Sequence, residues 1–275
     1  MLDLHCHLLP AIDDGASDLA MSLEMARMAV ADGITTIACT PHIYPGMYDN
    51  TRDGIIASIA MLQERLEASG IDLRLVEGAD VHLDPDLLAG IRSGRIPTLA
   101  GSRYLLLEPP HHVAPPRFEA SVFELMAAGL VPVITHPERL SWVEDHYAMF
   151  VRLSQRGAWM QVTAGALTGR FGRRVRYWGE RFLDEGHCML LATDAHHPQR
   201  RPPLLAEARE AATARLGKEE AWHLVHTRPA GIVADAAPDT LPPAPANAPP
   251  DPATRQPASG LLTRWLGRLS GRREH

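Results

Sequence analysis

Short apolar runs alternate along the chain with stretches in which apolar residues recur every three or four positions. Leu2-Asp3-Leu4, Thr36-Ile37-Ala38-Cys39, Leu73-Arg74-Leu75-Val76, Tyr104-Leu105-Leu106-Leu107, Val131-Pro132-Val133-Ile134, Trp159-Met160-Gln161-Val162-Thr163 and Met189-Leu190-Leu191-Ala192 are too short for buried helices. Bounded by turn residues, they read as strands buried on both faces. Between them, Leu19, Leu23, Ala26 and Val30 mark a helix that Ser17 would cap and Gly33 would end. Ile55, Ile59, Leu62 and Leu66 mark a second, ending at Gly70, and the pattern predicts further helices near 84–91, 116–128, 141–156, 173–185, 203–216 and 218–227. Strand and helix in alternation predict a parallel α/β architecture. Seven strand candidates suit a small (β/α) barrel better than an open doubly wound sheet, although periodicity alone does not separate the two.

Six of the seven runs lead into a histidine or an acid. In chain order these are His5 with His7, His42, Asp80, Glu108, His136, and Asp194 with His196. Strands of a closed parallel sheet end at one mouth, so these side chains are expected to gather there and bind metal. With 14 His in 275 residues, a His-x-His pair arises ~0.7 times by chance, so placement matters more than the motif. Residues two apart on a strand share a face, which aims His5 and His7 at one cluster, lets Asp194 and His196 repeat the geometry, and turns Cys6 away into packing. The run Trp159–Thr163 ends in no ionisable group and reads as structural. His146, His187, His223, His226 and His275 fall in helical, turn or tail contexts and read as ordinary histidines. With Asp14, the inventory His5, His7, Asp14, His42, Asp80, Glu108, His136, Asp194 and His196 is too large for one ion, so two or three divalent ions are implied. Imidazole and carboxylate without thiolate suit Mn, Fe or Zn, with Mn the first expectation.

Composition narrows the classes. A net charge of −6 without a long basic run argues against nucleic acid as the main partner. Cys6, Cys39 and Cys188 are scattered, as expected of reduced thiols in a cytosolic protein rather than a disulfide framework. No export signal opens the chain and no apolar stretch approaches ~18 residues, so a cytoplasmic location is expected. After Asp235 the pattern changes. The reading is a domain over 1–235, a Pro/Ala-rich linker over 236–259 and a basic amphipathic tail over 260–275. In the tail, Leu261, Leu262, Trp265, Leu266 and Leu269 share one helical face. Such a short helix reads as a frayed tail, as a patch that docks on its own domain, or as a weak contact with a partner or membrane surface.

The opening stretch DLHCHLLPAIDDGASDLAMSLEMARMAVADGITTIACTPH resembles the PHP (polymerase and histidinol phosphatase) superfamily. With LPAIDDGA, TPH, THPER and TDAH, residues 1–230 more closely resemble the metal-dependent bacterial protein tyrosine phosphatases of capsular and exopolysaccharide gene clusters. That resemblance implies a distorted seven-stranded (β/α) barrel of PHP type with a trinuclear centre at its mouth. It implies removal of phosphate from tyrosines on a polysaccharide-regulating kinase. Carried over position by position, it makes His5, His7, Asp14, His42, Glu108, His136, Asp194 and His196 metal ligands and Arg139 a phosphate-binding side chain. Asp80 departs from the subgroup, which often has Glu there; the shorter side chain reaches one methylene less, and His82, two residues on along the same strand face, reads as an exposed turn residue rather than as a compensating ligand. A cysteine-based phosphatase would need Arg six positions after its cysteine, where this chain has Ile12, Pro45 and Asp194. Other readings are a histidinol-phosphatase-like or nuclease-like PHP phosphoesterase, and a non-catalytic module that binds phosphotyrosine.

Overall fold

Nine strands carry the fold in the computed structural model, which describes residues 1–248. They are β1 (Leu2–Cys6), β2 (Thr36–Cys39), β3 (His42–Ile43), β4 (Arg74–Glu77), β5 (Asp80–His82), β6 (Tyr104–Glu108), β7 (Val131–Thr135), β8 (Trp159–Thr163) and β9 (Cys188–Ala192). Every strand pairing is parallel, in a three-stranded sheet β1-β2-β4 and a six-stranded sheet β3-β5-β6-β7-β8-β9. The parallel α/β expectation is met, but nine strands in two sheets stand where seven in one barrel were expected. The two additional strands arise because two runs break and resume in the other sheet. β2 stops at Thr40-Pro41, where Pro41 has no N–H to give the ladder, and restarts as β3. β4 stops at Gly78-Ala79 and restarts as β5; a Cβ on Gly78 would lie 2.9 Å from Thr40 and 3.0 Å from Leu99, so only glycine fits that crossing.

The ends of β1 and β9 also meet. Asp194 N donates to His5 O at 2.7 Å, His7 N donates to Ala195 O at 2.9 Å, and Cys6 bridges Ala195 in parallel register. The buried Asp3 carboxylate accepts Thr193 N at 2.9 Å along the same seam. Alternate residues of the strands face two apolar clusters. Cys6, Ile37, Leu105, Leu107, Ile134, Met160 and Leu191 pack into the larger one beneath the helices. Leu4, Ala38, Tyr104, Leu106, Val133, Trp159 and Leu190 form the smaller. Glu108 continues the Tyr104-Leu106 row, so the polar site sits directly on the apolar filling of the strands.

The helices Leu19–Ala31, Arg52–Ala68, Leu87–Arg92, Phe118–Ala127, Val143–Gln155, Gly172–Asp184 and Ala206–Leu216 occupy the expected stretches. The first is capped by Asp18, not Ser17: Asp18 Oδ1 accepts Met21 N at 2.9 Å, and a carboxylate also favours the positive helix end. The helix expected over 218–227 runs further, as Lys218–Trp222, a π-turn over His223–Thr227 and Arg228–Val233. A short helix, Ala164–Leu167, was not legible in the sequence.

Part of the expected Pro/Ala spacer is docked rather than free. Tyr104 Oη donates to Ala236 O, and the wholly buried Arg228 donates to Pro242 O at 2.8 Å and Pro243 O at 2.7 Å. Ala244 is buried, and Asn247 reaches Ser154 O. The tail over 260–275, with His275, lies outside the described residues. Among the described residues no helix is long and apolar enough to cross a membrane. The three cysteines are buried and unpaired.

Candidate metal centre at the strand ends

His5, Asp80 and Glu108 lie within β1, β5 and β6, and His42 opens β3. His7, His136, Asp194 and His196 sit just past β1, β7 and β9, and Asp14 comes from the loop after β1. His136 and Asp194 hold left-handed backbone at φ 34° and 51°. Such conformations cost on the order of 1 kcal/mol or more in non-glycine residues, which marks a local demand stronger than backbone preference.

All nine residues converge. His5 Nε2 stands 3.3 Å from Asp80 Oδ2 and 3.4 Å from Asp194 Oδ1. His7 Nε2 lies 3.5 Å from Asp194 Oδ1. His42 faces Glu108 Oε2 through Nδ1 at 3.3 Å and Asp14 Oδ1 through Nε2 at 3.4 Å, and His196 Nε2 approaches the same Asp14 oxygen at 3.3 Å. Five overlapping groups have their donor atoms within 4.8 Å of one another: His7-Asp14-His42-His196, His5-His7-Asp80, His5-His136-Asp194, His42-Asp80-Glu108 and Glu108-His111-His136.

The donor chemistry fits cations. Both carboxylate oxygens of Asp80 are buried without a hydrogen-bond partner, while nitrogens of His5, His42 and His136 approach Oδ2 at 3.3, 3.6 and 4.0 Å. Burying a carboxylate costs several kcal/mol unless positive charge compensates it. His5 and His7 add a second sign. His5 Nδ1 donates to Gln161 Oε1 at 2.9 Å and His7 Nδ1 pairs with Asp13 Oδ2 at 2.7 Å. With the protons on Nδ1, the two Nε2 lone pairs confront each other at 3.3 Å, a repulsive contact unless a cation or proton lies between them. His196 is oriented the same way, its Nδ1 donating to Asp194 O at 3.0 Å. A histidine whose far nitrogen is fixed by a carboxylate or carbonyl is the usual arrangement around bound metal.

Protonation follows the same charges. Burial opposes a charge on His5, but Asp80 and Asp194 outweigh it and raise its pKa to about 9. Burial likewise opposes a charge on His42, but its hydrogen bond to the accepting Glu108 carboxylate, with the charges of Asp80 and Glu108, raises it to about 10. Against burial, Asp13 raises His7. Burial and the neighbouring His7 lower His196 to about 4, and burial with Arg139 holds His136 well below the usual range. Burial would raise Asp194, yet His5, Arg201 and Arg139 hold it well below the ordinary carboxylate range.

Arg139 and Arg201 both pair with Asp194 Oδ2, and the Arg139 guanidinium lies over the Phe171 ring, 4.9 Å from its centroid. Six of the nine donors, Asp14, His42, Glu108, His136, Asp194 and His196, line an open cavity of about 440 Å³ whose walls include Tyr44, Met47, Tyr48, Pro110 and Val113. His82 is not the exposed turn residue expected. It is half-buried, with its ring stacked 4.0 Å from Tyr44, and it belongs to none of the donor groups among the described residues.

Asp13, Gln161, His111 and Arg201 were not singled out in the sequence. Gln161 is the legible one, a polar side chain inside the apolar run Trp159–Thr163. Asp13 is hidden beside Asp14, and Arg201 and His111 reach the site from loops, where no period reports direction.

The chain is similar to known proteins over most of its length. Residues 1–234 match the family described as "Capsular polysaccharide synthesis, CpsB/CapC". Tyrosine-protein phosphatase YwqE of Bacillus subtilis is 33% identical over 219 residues, 80% of this chain and 86% of that protein. Tyrosine-protein phosphatase CpsB of Streptococcus pneumoniae is 26% identical over 240 residues, 86% of this chain and 99% of that protein. A crystal structure from work on YwqE and CpsB, described there as unique metal-dependent tyrosine phosphatases, superposes with a TM-score of 0.83 at 31% identity. That superposition covers 86% of this chain and 96% of the other. With both its sequence and its fold aligned across nearly the whole described region, the chain belongs to the CpsB/CapC family of capsular polysaccharide synthesis.

Proposed function

We propose that this chain is a cytoplasmic, metal-dependent protein-tyrosine phosphatase that hydrolyses phosphotyrosine on a bacterial tyrosine kinase controlling capsular or exopolysaccharide synthesis. The observation that carries the reading is the Asp80 carboxylate, buried without hydrogen bonds and ringed by imidazoles, in a chain whose relatives are named tyrosine phosphatases. His5, His7, Asp14, His42, Asp80, Glu108, His136, Asp194 and His196 would hold two or three divalent ions, Mn first, with Fe or Zn also suited to the donors. The two sheets, joined where Cys6 meets Ala195, would act as one distorted barrel with this centre at its mouth.

Phosphate monoesters are among the slowest compounds to hydrolyse unaided, with accelerations up to ~10²¹ required of their enzymes. Bound ions supply Lewis-acid neutralisation of phosphate charge and activation of water. The protein's own side chains do the rest. Arg139 and Arg201 place two guanidinium forks beside Asp194, ready to take phosphate oxygens, and Phe171 holds the Arg139 plane. Asp13 and Gln161 keep His7 and His5 in the tautomers that aim Nε2 into the cluster. The Tyr44, Met47 and Val113 walls give an aromatic ring an apolar surface beside the donors. Tyrosinate is a good leaving group, so the reaction leans on charge neutralisation more than on an acid. The cysteines have no part, since burial raises the thiols of Cys6, Cys39 and Cys188 and none is exposed.

The test is metal analysis of the purified chain with turnover of a phosphotyrosine peptide, histidinol phosphate and single-stranded DNA, before and after chelation. The reading expects two or three ions, fastest turnover on the phosphopeptide, and loss on chelation restored by Mn. Faster turnover of histidinol phosphate or DNA would reassign the substrate, and phosphopeptide binding without phosphate release would make the chain a binding module.

A further inference from the structure

The carboxylate of Glu108 serves two sets of neighbours with different oxygens. Oε2 lies 3.3 Å from His42 Nδ1, and Asp80 joins these two in one donor group. Oε1 lies 3.7 Å from His136 Nε2 and 3.3 Å from His111 Nε2, and these three residues form a separate group within 4.8 Å. His111 lies outside the LPAIDDGA, TPH, THPER and TDAH segments, so no motif marks it.

Its loop is nevertheless held firmly. Trp142 Nε1 donates to Pro110 O at 2.9 Å, Ser141 N donates to His111 O at 2.9 Å, and Ser141 Oγ donates to His112 O at 3.2 Å. Pro109 and Pro110 restrict the backbone leading into it. The imidazole ring packs 4.9 Å from the His136 ring, so it is presented to the cluster by a pinned loop. His82, by contrast, turns to Tyr44 and leaves the shorter Asp80 side chain uncompensated from that side.

We propose that His111 is a metal ligand, its Nε2 joining Glu108 Oε1 and His136 Nε2 as donors that would hold one divalent cation. The inference rests on the metal-dependent reading above. One carboxylate and two imidazoles suit Mn, Fe or Zn. The competing account is that His111 only hydrogen-bonds Glu108.

The experiment compares the full-length wild type with His111→Ala and His111→Gln. Each is stripped of metal, titrated calorimetrically with Mn(II), and analysed for bound ions after gel filtration. Gln retains an N–H for Glu108 but offers only a neutral amide oxygen in place of the imidazole nitrogen, so Gln and Ala together separate ligation from hydrogen bonding. The expected result is that both variants bind one ion fewer, or bind one class of ion about tenfold or more weaker. In addition, the visible spectrum of the Co(II)-loaded protein changes in both. If Gln binds Mn(II) with wild-type stoichiometry and affinity, or Ala does, the proposal is overturned and His111 is a hydrogen-bonding residue. If the wild type itself takes up no ion, the proposal falls together with the phosphatase reading; a loaded wild type beside unchanged variants overturns the His111 proposal alone.

Discussion

Replacing Gln161 by Leu should weaken metal binding more than it weakens the fold. Gln161 is wholly buried on β8, and its Oε1 accepts the Nδ1 proton of His5 at 2.9 Å while its Nε2 has no partner. In the metal-free protein Leu removes one hydrogen bond and leaves His5 Nδ1 unpaired, a loss of about 1–3 kcal/mol. It also removes a buried amide N–H that has no acceptor, a gain of similar size, about 1–3 kcal/mol. The two nearly cancel, so the metal-free thermal midpoint should move little. Metal binding has no such compensation, because the Leu variant no longer fixes the His5 tautomer or supports its basicity. Loss of a partner of this kind lowers metal affinity about 10–100-fold, or about 1.4–2.8 kcal/mol. Calorimetric titration of the stripped protein with Mn(II), beside thermal unfolding in chelator, measures both quantities. Gln161→Glu, which keeps an acceptor, should recover much of the affinity. A Leu variant that binds every ion as tightly as wild type would refute the role given to Gln161; one that simply unfolds in chelator would refute the compensation argument.

Arg139→Ala should lower turnover of a phosphotyrosine peptide about 10²–10³-fold, as loss of a charge-stabilising donor does, and Arg139→Lys should recover only part of it; wild-type turnover in both variants would remove Arg139 from phosphate binding. Metal uptake at pH 7 should release protons, because His5 and His42 titrate near 9 and 10 in the metal-free protein and must shed protons to bind an ion. The sign is fixed: apparent affinity rises with pH up to that range, whereas the His–carboxylate pairs stabilise the metal-free fold below it and lose that contribution as pH rises through about 9 and 10. Titration in two buffers of different ionisation enthalpy reads the proton count, and an equal observed enthalpy in both would contradict it. Turnover should collapse toward and below about pH 6, because bound ions keep His5 and His42 neutral well below their metal-free range until protons displace the ions, and a maximum near pH 5 would contradict a histidine-rich centre. Iodoacetamide should leave the native enzyme active, since Cys6, Cys39 and Cys188 are buried; rapid inactivation with alkylation of one of them would show an exposed thiol.

The sequence was most legible where one periodic signal met one chemical one. Apolar runs of three or four residues that led into His, Asp or Glu became strands beside one site, and all nine proposed donors and Arg139 arrived there. Strand alternation also placed Cys6 in the core, away from His5 and His7. What escaped depended on contacts without a period. β3 and β5 are two and three residues long, too short for any pattern to register, and their displacement into the second sheet depends on Pro41 and on the close approach at Gly78. His111 and Arg201 reach the centre from loops, whose direction is set by distant partners such as Trp142 and Asp194. Gln161 was visible as a polar residue in an apolar strand, yet its role emerges only from its distance to His5. Residues 236–248 lack an apolar pattern of their own, so their docking through Arg228 and Tyr104 could not be read from composition.

The account stands on side chains from six strands holding several cations together. Anomalous diffraction from crystals of the Mn-loaded protein, collected on both sides of the Mn absorption edge, tests this directly. The account predicts two or three anomalous peaks inside the cluster bounded by His5, Asp80, Glu108, His136 and His196. A single peak, or peaks remote from these residues in crystals of fully loaded and active protein, would contradict it.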